Sequence, residues 1–141
     1  MKKPFLFALT LILFISCSSE PEKMELKSPS GFAFPLEDTW EFNGNVQVYG
    51  FSLLEDEDDI YHAAVKYKAD LAMDGTTIFE NVDSGKIEKS SEEEIAEMEI
   101  EFQIEFGSNF DPGNYELIII AEDLNSTKKD TCNLPFELSE F

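Results

Sequence analysis

The sequence has no arginine and one histidine, and each scarcity removes a class of function. All ten basic residues are lysine, against 30 aspartates and glutamates in 141 residues. Two of the lysines, Lys2 and Lys3, are the second and third residues of the sequence. Beyond residue 16, eight lysines therefore face 30 carboxylates, a balance of −22. A surface of that sign repels DNA, RNA and anionic headgroups, which sets nucleic acid aside as a partner. A single histidine, His62, cannot build a histidine-rich metal site. No Gly-x-Ser-x-Gly is present, and no acid or oxyanion donor is marked out beside Cys132 and His62. The 30 acids make any particular carboxylate pair uninformative as a glycosidase signal. The expectation is a protein that is not an enzyme.

What is present begins with a segment unlike the rest. Lys2 and Lys3 precede an apolar stretch from Phe5 to Ile15, broken only by Thr10. A bilayer-spanning helix needs about 20 apolar residues, so this run is too short to cross and has the pattern of a secretory signal. It ends in Phe14-Ile15-Ser16-Cys17. That run resembles the lipobox of bacterial lipoproteins, with Phe14 standing where an aliphatic residue is usual. The resemblance implies cleavage before Cys17, acylation of Cys17 and attachment to a lipid bilayer. Ser18, where aspartate would imply retention at the inner membrane, implies the outer membrane. An ordinary secretory signal cut near Ser16, with Cys17 a free thiol, and an uncleaved anchor are the other readings. Residues 17–30 are polar and include Pro21, the composition of a flexible tether. The expected organisation is a signal peptide over 1–16, a lipidated cysteine and linker over 17–30, and one domain over 31–141.

With Cys17 acylated, only Cys132 remains, so no internal disulfide can form and the core must hold the fold. Thirteen phenylalanines and four tyrosines make that feasible. Period-two alternation marks the strands. Met98–Phe106 alternates apolar and polar residues throughout. His62–Met73 does so with Val65, Tyr67, Ala69 and Leu71 on one face. Asn45–Leu54, Tyr115–Glu122 and Thr131–Leu138 read as further strands, the last burying Cys132, Leu134, Phe136 and Leu138. Shorter candidates are Phe32–Phe34, Thr77–Val82 and Lys86–Lys89. Turn signals lie at Asn43-Gly44-Asn45, Asp74-Gly75, Asp83-Ser84-Gly85, Asp111-Pro112-Gly113-Asn114 and Asn125-Ser126. The fold class expected is all-β, a single antiparallel β-sandwich of seven or eight strands.

Asp111-Pro112-Gly113-Asn114-Tyr115-Glu116-Leu117 resembles the corner before the penultimate strand of immunoglobulin-like and fibronectin-III-like domains. Leu117 stands where the first of these carries cysteine. The resemblance implies an immunoglobulin-like sandwich in which Asp111, Gly113 and Tyr115 form a structural corner. The core tryptophan on the third strand is absent. Trp40 instead precedes the first long strand, as a plug at one end of the sandwich or as an exposed binding aromatic.

One cluster stands out for binding, Glu55-Asp56-Glu57-Asp58-Asp59, between the first two long strands. It is either a solvated acidic turn or a calcium site of the Asp-rich loop kind. It is not an EF-hand, since Ile60 and Tyr61 occupy positions that need an oxygen ligand and a glycine. The Glu97, Glu99, Glu101, Glu105 ladder reads as the wet face of a strand. Asn125-Ser126-Thr127 matches a glycosylation sequon that most bacteria leave idle. Two functions follow. The first is a membrane-anchored exported lipoprotein, a non-catalytic interaction or accessory module that presents its sandwich to a protein partner. The alternative is a calcium-dependent adhesion or carbohydrate-contacting module that uses the 55–59 loop.

Overall fold

The computed structural model describes residues 22–141, and Met1–Pro21, including the lipobox at Cys17, lie outside the described residues. Eight strands follow in order: β1 (Glu25–Leu36), β2 (Thr39–Tyr49), β3 (Leu54–Glu55), β4 (Tyr61–Met73), β5 (Thr76–Ser91), β6 (Glu97–Phe106), β7 (Gly113–Asp123) and β8 (Lys129–Leu138). Every pairing is antiparallel. One sheet has the order β1-β2-β6. In the other, β4 is central, with β5 along one edge and β7 then β8 beyond the other. The two-residue β3 meets β4 at Tyr61 and His62, past the point where β7 leaves it. The fold is a single antiparallel β-sandwich.

The alternation that marks the strands also builds the core. β6 is buried at every second residue from Met98 to Phe106 and exposed between. Facing it across the sandwich, Tyr115, Leu117, Ile119 and Ala121 of β7 are buried, while Ile118 and Ile120 sit half-buried on the outward face. At one end the aromatic rings gather around Phe136. Its centroid lies 4.7 Å from Phe42, 5.5 Å from Phe106 and 5.9 Å from Tyr115. Offset rings at these separations add to the area they remove from water. The Tyr115 hydroxyl donates to the Asp111 carbonyl at 2.6 Å, pinning the loop that enters β7. Trp40 plugs the same region. It is 1% exposed, its indole N–H donates to the Ser139 carbonyl at 2.9 Å, and the Phe141 ring stacks 4.4 Å away.

Several boundaries differ from the sequence reading. Residues 25–30, expected in the linker, form the first half of β1 and pair with β2 as far as a bulge between Lys27 and Ser30. The strand expected at Asn45–Leu54 is β2, which starts at Thr39 and ends at Tyr49. Asn43-Gly44-Asn45 is therefore strand interior and not a turn. Gly44 is the register partner of Gly31, and the Phe42 ring fills the space both leave empty. A Cβ on Gly31 or Gly44 would lie 2.6 or 2.8 Å from that ring. Thr77–Val82 and Lys86–Lys89 belong to one strand, β5. Asp83-Ser84-Gly85 runs through it, opposite Ala69, Lys68 and Tyr67. Gly85 is needed there because a Cβ would lie 2.7 Å from the Tyr67 hydroxyl. The true hairpin turn is Asp74-Gly75, where φ is positive at both residues (50° and 76°), as a tight hairpin with right-handed twist requires.

Candidate functional site

The acidic run folds on itself. Asp56 Oδ1 accepts from the amides of Asp58 and Ile60 at 2.8 and 3.1 Å, an Asx-type turn. Its other oxygen lies 2.7 Å from His62 Nε2. These hydrogen bonds, that of His62 first, hold the Asp56 carboxyl below its ordinary range. His62, half-exposed at the start of β4, is also 2.7 Å from the Ser90 hydroxyl through Nδ1. Both oxygens of Asp56 thus have partners within the fold. Glu55 lies in β3, and Glu57, Asp58 and Asp59 are exposed around the turn. Asp111 is at the far end of β7, and Asp83 is in the middle of β5. Among the described residues no three His, Cys, Asp or Glu side chains are grouped to hold a metal ion.

Behind this loop lies a knot that the sequence reading missed. Asp123, 3% exposed, ends β7. Its carboxylate accepts from the Ser52 amide at 2.7 Å, the Ser126 hydroxyl at 2.7 Å and the Asn125 amide at 2.9 Å. Burial pushes the Asp123 carboxyl up, but these hydrogen bonds outweigh it and leave the pKa lowered. Asn125 in turn donates to the carbonyls of Ser52 and His62. The knot fixes the path of the loop after β2. The pattern Asp123-x-Asn125-Ser126 is an Asx-turn signal that could have been read.

The outward faces of the two sheets differ in kind. On the β5-β4-β7-β8 sheet three of the lysines are matched. Lys66 pairs with Glu122 at 2.8 Å, Lys86 with Glu88 at 2.9 Å, and Lys68 approaches Asp70 at 3.6 Å. A groove of about 360 Å³ lies there between Lys66, Lys68, Glu80 and Ile120. On the β1-β2-β6 sheet, inward Ala33 and Phe42 are register partners, so Phe32, Phe34 and Leu36 of β1 point outward. Phe32 is 65% and Leu36 40% exposed, and the Phe32 and Phe34 rings are 6.0 Å apart. In the row that crosses this stripe at Phe34 stand Glu41 of β2 and Glu105 of β6, with Glu101, Glu99 and Glu97 farther along β6. A trough of about 550 Å³ runs between Ser30, Phe32, Asn43, Asn45 and Glu101.

Cys132 is half-buried against the core on the inward face of β8, and burial pushes its thiol up to about 11. A thiol so placed stays protonated and is a poor nucleophile. No family model matches the chain, and no curated protein matches it.

Proposed function

We propose that the chain is an exported bacterial lipoprotein, held by acyl chains on Cys17 at the outer membrane. Its sandwich serves as a non-catalytic module that meets a protein partner. The observation that carries this reading is the Phe32, Phe34, Leu36 stripe. Strands facing water normally place polar residues outward. Here exposed Phe32, half-buried Phe34 and exposed Leu36 stand in a row on the outward side of an edge strand, beside Glu41. Contiguous exposed apolar groups of this kind mark interaction surfaces.

The tether follows from Ser16-Cys17 and the apolar run before it. One acyl chain gives marginal membrane attachment, whereas two or more hold the protein stably. Metabolic labelling with an alkyne fatty acid, followed by membrane fractionation, tests this. The expected result is label on the wild-type chain in the membrane fraction, and loss of both label and membrane retention in Cys17→Ala. An unlabelled wild-type chain in the soluble fraction overturns the anchored reading.

A further inference from the structure

We infer that the outward face of the β1-β2-β6 sheet receives an extended, lysine- or arginine-bearing segment of its protein partner. This rests on the proposed partner-facing role of that face and names the chemistry that would fit it.

The register brings the relevant groups into rows. Phe34 lies opposite Glu41, and Glu41 lies opposite Glu105. Each row step across an antiparallel sheet is about 4.8 Å, so the aromatic ring and both carboxylates fall under one long side chain. Glu41 and Glu105 are like charges directly opposite each other, an arrangement that destabilises a sheet. Among the described residues neither makes an ion pair. Glu41 has only the amides of Asn43 and Gln103 as neutral donors, at 3.0 and 3.2 Å.

Farther along the face the polar groups are already engaged. The Tyr49 hydroxyl donates to Glu97 at 2.7 Å, and the Gln47 amide donates to Glu99. Lys27 lies 2.9 Å from Glu25 and sits over the Tyr49 ring. The unmet requirement is therefore for positive charge at Glu41, Glu105 and Glu101. On the other sheet Lys66, Lys68 and Lys86 stand among the carboxylates, whereas β2 and β6 carry no lysine. A lysine or arginine stem would lie along Phe34 and Leu36 with its charge between Glu41 and Glu105. A second cation would reach Phe32 and Glu101. Outward side chains on one strand repeat about every 7 Å, which matches alternate positions of an extended partner segment. A further copy of this chain, at a formal charge of −20, is a poor occupant.

This predicts opposite signs for one substitution. Glu105→Gln should raise the thermal midpoint of the free protein, because it removes a like-charge pair, and should weaken binding of a cationic segment. A residue with only a structural role would not move in both directions. The test uses the full chain in a neutral detergent and a fluorescent peptide alternating lysine and threonine. Glutamate–threonine peptide and chitohexaose are the comparison ligands. Expected is saturable binding of the lysine peptide that fades as salt is raised to about 0.3 M. Glu105→Gln should weaken it about two- to fivefold, as an exposed charge contact does. Phe32→Ser should weaken it by a similar factor through the lost ring contact. Glu137→Gln, an equal charge change on the other sheet, should leave it unchanged. Equal weakening by Glu137→Gln, a lowered midpoint in Glu105→Gln, or no binding of the lysine peptide overturns the inference. So does Phe32-dependent binding of chitohexaose in its place. A protein crosslinked from position 32 in cells, but through a segment without basic residues, would overturn this inference while leaving the proposed partner role standing.

Discussion

The Asp123 carboxylate holds the amide of Ser52, 71 residues away in sequence, at 2.7 Å. The same oxygen takes the Ser126 hydroxyl, and the other takes the Asn125 amide. One side chain thus ties the loop after β2 to the β7–β8 turn. Asp123→Asn removes the charge and leaves only one acceptor oxygen. It should lower stability by about 1–3 kcal/mol, measured by denaturant unfolding. Its pH signature is specific. The folded pKa lies below the ordinary 3.8, so the difference between wild type and Asp123→Asn should be constant above that value. As pH falls through the lower folded pKa, the difference should shrink toward zero. A difference that persists unchanged to strong acid would show that the contribution is not ionic.

Gly31 and Gly44 face each other across β1 and β2, with the Phe42 ring in the space between them and the core. Gly44→Ala forces that ring aside in a packed interior. The expected loss is about 1–3 kcal/mol, with Gly31→Ala similar. Thermal or denaturant unfolding checks it. A neutral or stabilising result would mean that the ring has room the geometry denies.

Trp40 is sealed by the chain's last residues. Removing Ser139–Phe141 takes away the carbonyl acceptor of its indole and the ring stacked on it. Fluorescence from the only tryptophan should shift to the red and quench more readily, with stability lower by about 1–2 kcal/mol. Unchanged emission would contradict the sealed position.

The Asp56 turn should respond weakly to divalent ions. Both Asp56 oxygens are engaged by the Asp58 and Ile60 amides and by His62, and among the described residues no three acidic, His or Cys side chains are grouped there. Millimolar calcium and magnesium should produce equal, small changes in the thermal midpoint. A calcium-specific rise of several degrees would require a saturable site and would restore the calcium reading.

The strands of the second half were legible because period-two alternation is strong where one face is buried and the other wet. Met98–Phe106 and His62–Met73 show it plainly. Two glycine signals misled for a common reason. Asn43-Gly44-Asn45 and Asp83-Ser84-Gly85 have turn composition, but their glycines admit the Phe42 and Tyr67 rings. A glycine demanded by an aromatic neighbour cannot be told from a turn glycine without knowing that neighbour. Residues 25–30 have the polar composition of a tether because β1 is an edge strand that pairs on one side and buries only Leu26 among them. Of the candidate surface, the glutamate ladder was visible, but its cross-strand pairing with Glu41 was not, since register depends on partners about 60 residues apart in sequence. The outward direction of Phe32 and Phe34 likewise emerged only once Ala33 was set against Phe42.

The central claim is that the β1-β2-β6 face meets a protein partner, and it is tested most directly in cells. A photoreactive residue is placed at position 32 in one variant and at position 120, on the outward face of the other sheet, in a second. Irradiation should give a discrete protein adduct from position 32 and none from position 120. An adduct from position 120 alone, equal adducts from both, or none from position 32 would contradict the account.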